Sequence, residues 1–161
     1  MKRNLYKTLI GLAAILTLAA AAGTMSAQRK ESRGRALSKA QVNTIINRVE
    51  NRVDNFVKNY DKSLDRSRLN GTSREDWLNQ RAKDLERATD ELRREFDRRD
   101  AWVENREEVR RCLNIASDID RNIKNYNFGV ATESNWDRVR YELNSLADVY
   151  NIPRVGASVY N

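Results

Sequence analysis

The chain has 161 residues, with 30 Lys plus Arg against 23 Asp plus Glu, no histidine and one cysteine. Without histidine, Ser-His and Cys-His catalysis and His-ligated zinc or haem are excluded, and a single cysteine, Cys112, excludes an intrachain disulfide. The formal net charge of +7 invites a nucleic-acid partner, yet the segment 38–150 holds 22 basic and 22 acidic residues and offers no positive patch to displace counterions from phosphate.

The N-terminus opens with Lys2, Arg3 and Lys7. A charge-free stretch, Thr8 to Met25, rich in Ala and Leu, follows, with small residues at Ala19 to Gly23 and Ser26-Ala27. This pattern predicts a signal peptide over 1–27, cut between Ala22 and Gln28, and hence export, as a periplasmic or secreted protein if the source is a bacterium. The competing reading is an uncleaved signal anchor in the inner membrane, for which the Ala-rich stretch is weakly hydrophobic. No cysteine lies near the cleavage region to carry a lipid anchor. Residues 28–37 read as a flexible basic linker. Its Arg29, Lys30, Arg33 and Arg35 face one acid, Glu31, and give it at most a weak attraction to anionic lipid or polymer.

Four helices are predicted next. In 38–68 the apolar residues Val42, Ile46, Val49, Val53, Phe56 and Tyr60 alternate steps of four and three, with Ile45, Val57 and Leu64 beside them. That is one apolar stripe on an otherwise polar helix about 45 Å long. Ser38 and Gln41 have capping-box spacing, and Asn70-Gly71 supplies the stop. The second helix, 73–98, is capped by Thr72 or Ser73 and carries Leu78, Ala82, Leu85, Ala88, Thr89, Leu92 and Phe96. Its acids Asp84, Glu91 and Glu95 lie off this stripe and read as a solvated face paired with arginines.

A break between Asp97 and Asn105, with Asp100 or Asn105 as cap, separates the third helix, 102–126. Its stripe is Trp102, Val109, Cys112, Leu113, Ala116, Ile119, Ile123 and Tyr126, which makes Cys112 a small buried apolar residue. After Phe128-Gly129 the fourth helix, 133–150, is capped by Thr132 or Ser134 and carries Trp136, Val139, Leu143, Leu146, Ala147 and Tyr150. Pro153 prevents its continuation, and 151–161 reads as a mobile tail. The strings Val57-Lys58-Asn59-Tyr60 and Ile123-Lys124-Asn125-Tyr126, each followed by a glycine turn and a tryptophan, read either as a duplicated hairpin or as repeated helix-ending grammar.

The predicted architecture is all-α: an up-down-up-down four-helix bundle of long, coiled-coil-like helices, with a dimer of hairpins as the alternative. In that bundle Tyr60, Trp77, Tyr126, Phe128 and Trp136 converge at one end. They form either an aromatic mouth for an apolar segment or a plug with Trp N–H and Tyr O–H groups facing water. No cofactor or metal is expected, because no Glu-x-x-His pair, CxxC, glycine-rich phosphate loop or Ser/Lys dyad is present. Asn70-Gly71-Thr72 also fits a glycosylation acceptor, but Asn-Gly is first of all turn chemistry.

The motifs Asn55-Phe56…Asp61…Leu64-Asp65-Arg66-Ser67, the Gly71-Thr72 turn, and Trp136…Leu143…Leu146-Ala147…Tyr150 resemble an uncharacterised family of secreted or periplasmic bacterial helical-bundle proteins. The resemblance spans Ser38 to Tyr150. It implies fold and export, and carries no functional residue. The expected function is that of a non-enzymatic envelope protein, a structural or protein-interaction module that binds a protein partner or a second copy. The alternative is a periplasmic chaperone or stress adaptor holding apolar segments at the aromatic end.

Overall fold

In the computed structural model the described residues are 37–126 and 128–157. The expected signal peptide, all of the linker but Leu37, and the last four residues lie outside them. Four α-helices form one compact unit: α1 (Lys39–Asp65), α2 (Ser73–Arg98), α3 (Arg106–Asn125) and α4 (Val130–Tyr150). Each packs against the next, and α4 returns to α1, so the predicted up-down-up-down bundle closes as a single chain. No strand occurs among the described residues.

Side-chain ties record the antiparallel register on every seam. Glu50 pairs with Arg93 and Asp61 bonds Asn79 between α1 and α2. Arg81 pairs with Asp118 between α2 and α3. Trp136 bonds Asp120 between α3 and α4, and Arg48 pairs with Glu142 between α1 and α4. Apart from the buried Trp136–Asp120 bond, these partly exposed pairs each contribute on the order of 0.2–1 kcal/mol, so they fix alignment more than they supply stability.

The core is built from the predicted stripes. Val42, Ile46, Val49, Val53, Phe56, Tyr60 and Leu64 of α1 meet Leu78, Leu85, Leu92 and Phe96 of α2. Val109, Cys112, Ala116 and Ile119 of α3 and Trp136, Val139, Leu143 and Leu146 of α4 complete it. Fully burying one such aliphatic side chain contributes about 1.5–3 kcal/mol, so these stripes dominate the favourable side of folding.

Helix boundaries follow local chemistry. The Ser38–Gln41 capping box starts α1, and Thr72, whose hydroxyl accepts from the Glu75 N–H at 3.3 Å, starts α2. The helix 2 to helix 3 break falls inside the predicted window. Arg99–Ala101 leave the helix and Trp102–Asn105 form a 3-10 turn. The third α-helix therefore begins at Arg106 rather than 102. Asn105 sits at the cap but turns its amide back to the Trp102 carbonyl.

Two expectations are corrected at the last helix. It starts at Val130, three residues early, because Gly129 with φ +88° takes the cap position in place of Thr132 or Ser134. The segment after Tyr150 is also not wholly a free tail. Asn151 adopts the left-handed conformation and the Ile152 N–H reaches the Ala147 carbonyl at 3.0 Å, which reverses the chain. Ile152 and Val155 then bury on the core, the Val155 N–H bonds the Asn144 side chain at 2.8 Å, and Arg154 clasps Asp148. At the other boundary, Leu37 packs on the core and its carbonyl accepts the Trp102 Nε1–H at 3.0 Å, so the linker ends before it.

Candidate functional site

Four of the five aromatic residues expected at the bundle end come together. Tyr60, in the last turns of α1, lies 5.4 Å from Phe128 edge-on, and Tyr126 lies 6.1 Å from Phe128. Trp136 joins them through Phe56, which stacks on Tyr60 at 4.8 Å and meets Trp136 at 5.1 Å. Phe56 was legible only as a core residue. Two of the polar atoms, on Trp136 and Tyr60, do not face water as expected of a plug. Trp136 is 2% exposed and its Nε1–H turns inward to Asp120. The Tyr60 hydroxyl is buried without a hydrogen-bond partner, and burial raises its pKa.

Trp77 does not join this cluster. It is 39% exposed on the outer surface, with the Arg74 guanidinium 5.3 Å and the Arg81 guanidinium 5.8 Å from its ring centre. Position 77 precedes the stripe residue Leu78 by one step, about 100° around the helix, which turns its side chain away from the core. Arginine over an exposed indole face is a favourable cation–π arrangement, on the order of 0.5–1 kcal/mol each. The two tryptophans that suggested a duplicated hairpin therefore play opposite parts: Trp136 fills the core and Trp77 stands outside it.

The most unusual buried group is Asp120, 1% exposed on α3. One carboxylate oxygen accepts from Trp136 Nε1 at 2.9 Å and from Arg140 at 3.3 Å, and the other accepts from Lys124 at 2.5 Å. Burial alone pushes its pKa up. Hydrogen bonds from Lys124 and Trp136 and the charges of Lys124 and Arg140 outweigh burial and hold it below the ordinary carboxylate range. The C-terminal segment crosses this group so closely that a Cβ on Gly156 would stand 2.7 Å from the carboxylate. The arrangement satisfies a buried charge and pins α3 to α4.

Concavities open at several places on the surface. One of about 420 Å³ between α2 and α3 is lined by Arg81, Asp84, Glu107, Arg110, Arg111 and Ile115 among others. Another of about 300 Å³ lies at the aromatic end among Ser63, Arg66, Phe128 and Thr132, beside Val130, which is 83% exposed. Cys112 is fully buried, and burial pushes its thiol up to about 12. Among the described residues no group of three His, Cys, Asp or Glu side chains is placed to hold a metal, and no helix is long and apolar enough to cross a membrane.

Sequence reasoning missed Asp120, Asn105 and Glu75 as buried polar positions. Asp120 follows Ile119 on a helix whose polar face begins there, so periodicity alone assigns it to solvent. Searches of protein-family models, of curated proteins and of solved structures return no match to this chain.

Proposed function

We propose that this chain is an exported, non-enzymatic helical-bundle protein that acts as a structural or interaction module of the bacterial envelope and recognises a protein partner on its outer surface. Trp77 carries the reading. An exposed tryptophan with two arginine guanidiniums against its ring has the composition of an interface hot spot, and ordering it beforehand lowers the entropic cost of binding. At the bundle end the other four aromatics pack on one another, with Tyr60 and Trp136 almost wholly buried. The charge-free stretch from Thr8 to Met25 after a basic start supports export.

In-cell photo-crosslinking tests this. A photoreactive residue at Ser73, one turn before Trp77, gives adducts to a discrete partner that vanish on Trp77→Ala, while the same probe at Asn55 on α1 gives none. Equal adducts at both positions, or adducts indifferent to Trp77, refute it. N-terminal sequencing of the mature protein places the cleavage site.

A second reading, a periplasmic chaperone or stress adaptor, rests on Val130 and Phe128 beside the groove at the aromatic end. It requires suppression of client aggregation at near-stoichiometric ratios, lost on Val130→Asp. Unimpeded aggregation rejects it.

A further inference from the structure

The connection between α1 and α2 contains the only Asn-Gly pair in the chain, Asn70-Gly71. Both residues are exposed, and Gly71 adopts φ +76° with open space where a Cβ would stand. Asn-Gly is the pair in which a main-chain nitrogen most easily attacks the preceding side chain, because glycine carries nothing to hinder the approach. The fold ties down both reacting groups. The Gly71 N–H donates to Glu75 Oε2 at 2.6 Å, and Asn70 Nδ2 donates to the Asp65 carbonyl at 2.6 Å. Glu75 is itself buried in the first turn of α2, where its own N–H is bonded to the Thr72 hydroxyl.

We propose that Asn70 is a latent deamidation site and that the Glu75 carboxylate is the latch that sets its rate. The Gly71 nitrogen gives up its proton to solvent and bonds to Asn70 Cγ. The Cγ–Nδ2 bond breaks, and the nitrogen gains a proton and leaves as ammonia. Water opens the resulting succinimide at either carbonyl, to aspartate or isoaspartate. No oxidant, metal or second protein takes part. A carboxylate 2.6 Å from the amide stabilises its protonated form and repels the anion that must attack, so the reaction proceeds only through local opening of the turn. Either product replaces the Asn70 amide with a carboxylate that can no longer donate to the Asp65 carbonyl, and isoaspartate also adds a methylene to the main chain just before Gly71, which shifts its N–H from Glu75.

The test follows the tryptic peptide Leu69 to Arg74 by mass spectrometry after incubation of the full chain in heavy-oxygen water at mildly alkaline pH. The native protein deamidates about tenfold or more slowly than the urea-unfolded chain, the factor expected when a charge-assisted hydrogen bond must open first. Glu75→Ala recovers most of that factor. Glu75→Gln, which keeps an acceptor without charge, falls between them. A native rate equal to the unfolded rate overturns the proposal. So do wild-type rates in both variants while circular dichroism shows them folded. If Glu75→Ala unfolds, the folded Glu75→Gln protein decides the outcome alone.

Discussion

Replacing Asp120 with alanine isolates the contribution of the buried centre between α3 and α4. Trp136 is almost wholly buried, so its Nε1–H loses the acceptor that satisfies it, a cost of about 1–3 kcal/mol. Lys124 and Arg140 are more exposed, at 57% and 33% of their side chains, and return to solvent at a cost of only a few tenths of a kcal/mol. The expected loss is therefore about 2 kcal/mol, or roughly 8 °C in Tm for a domain of this length. Asp120→Asn keeps an acceptor for the indole and loses less. The sign with pH is fixed by the depressed native pKa: the stabilisation is complete at neutral pH and begins to fade as pH falls below the unfolded carboxylate value near 4. It is gone below the native pKa. Thermal melts followed by circular dichroism at neutral pH and again under acid should therefore show the wild type and Asp120→Ala converging as pH falls. A difference under about 1 °C at neutral pH, or one that widens in acid, would refute the assignment.

Three further outcomes follow from particular contacts. Tyr60→Phe removes a hydroxyl that has no partner, so denaturant titration should show stability unchanged or raised by up to about 1 kcal/mol, where a bonded tyrosine would lose stability. Gly156→Ala places a Cβ against Asp120 at a backbone angle of +74°. It should cost about 1–2 kcal/mol and speed hydrogen exchange at the Val155 amide, with the exchange at Val53 little changed. Cys112, its thiol pushed up to about 12 by burial, should resist alkylation in native buffer near neutral pH and react fully in denaturant, as counted by mass spectrometry.

The bundle was largely legible because its stripes are narrow and its charges dense: a step pattern of four and three leaves little doubt which face of Val42 to Tyr60 is covered. What escaped were positions decided by contacts remote in sequence. Asp120 is buried because an indole N–H sixteen residues later needs an acceptor and because Gly156 passes over it, and no local pattern encodes either. Ile152 and Val155 flank a proline and carry no period, so their burial depends on a reversal at Asn151 that only the fold reveals. Gly129 caps α4 through its backbone alone, which a search for hydroxyl and carboxylate caps overlooks. For the candidate site the gathering of Tyr60, Tyr126, Phe128 and Trp136 followed from helix ends. The error at Trp77 was one of phase, and Leu78 next to it held the correction.

The return of α4 onto α1 governs the order in which the protein can be made. Phe56 finds Trp136, Arg48 finds Glu142 and Ser63 finds Thr132 only when the last of the four helices exists. A chain emerging N-terminus first carries an uncovered apolar flank on its first helix until synthesis is nearly complete. A message cut short before codon 130, or a protease nick in the Tyr126–Gly129 connection followed by loss of α4, therefore leaves an adhesive three-helix remnant in place of a smaller working domain. Quality-control machinery that recognises exposed apolar surface has a clean criterion here, since closure by the last helix separates the bundled molecule from every chain that stops before it.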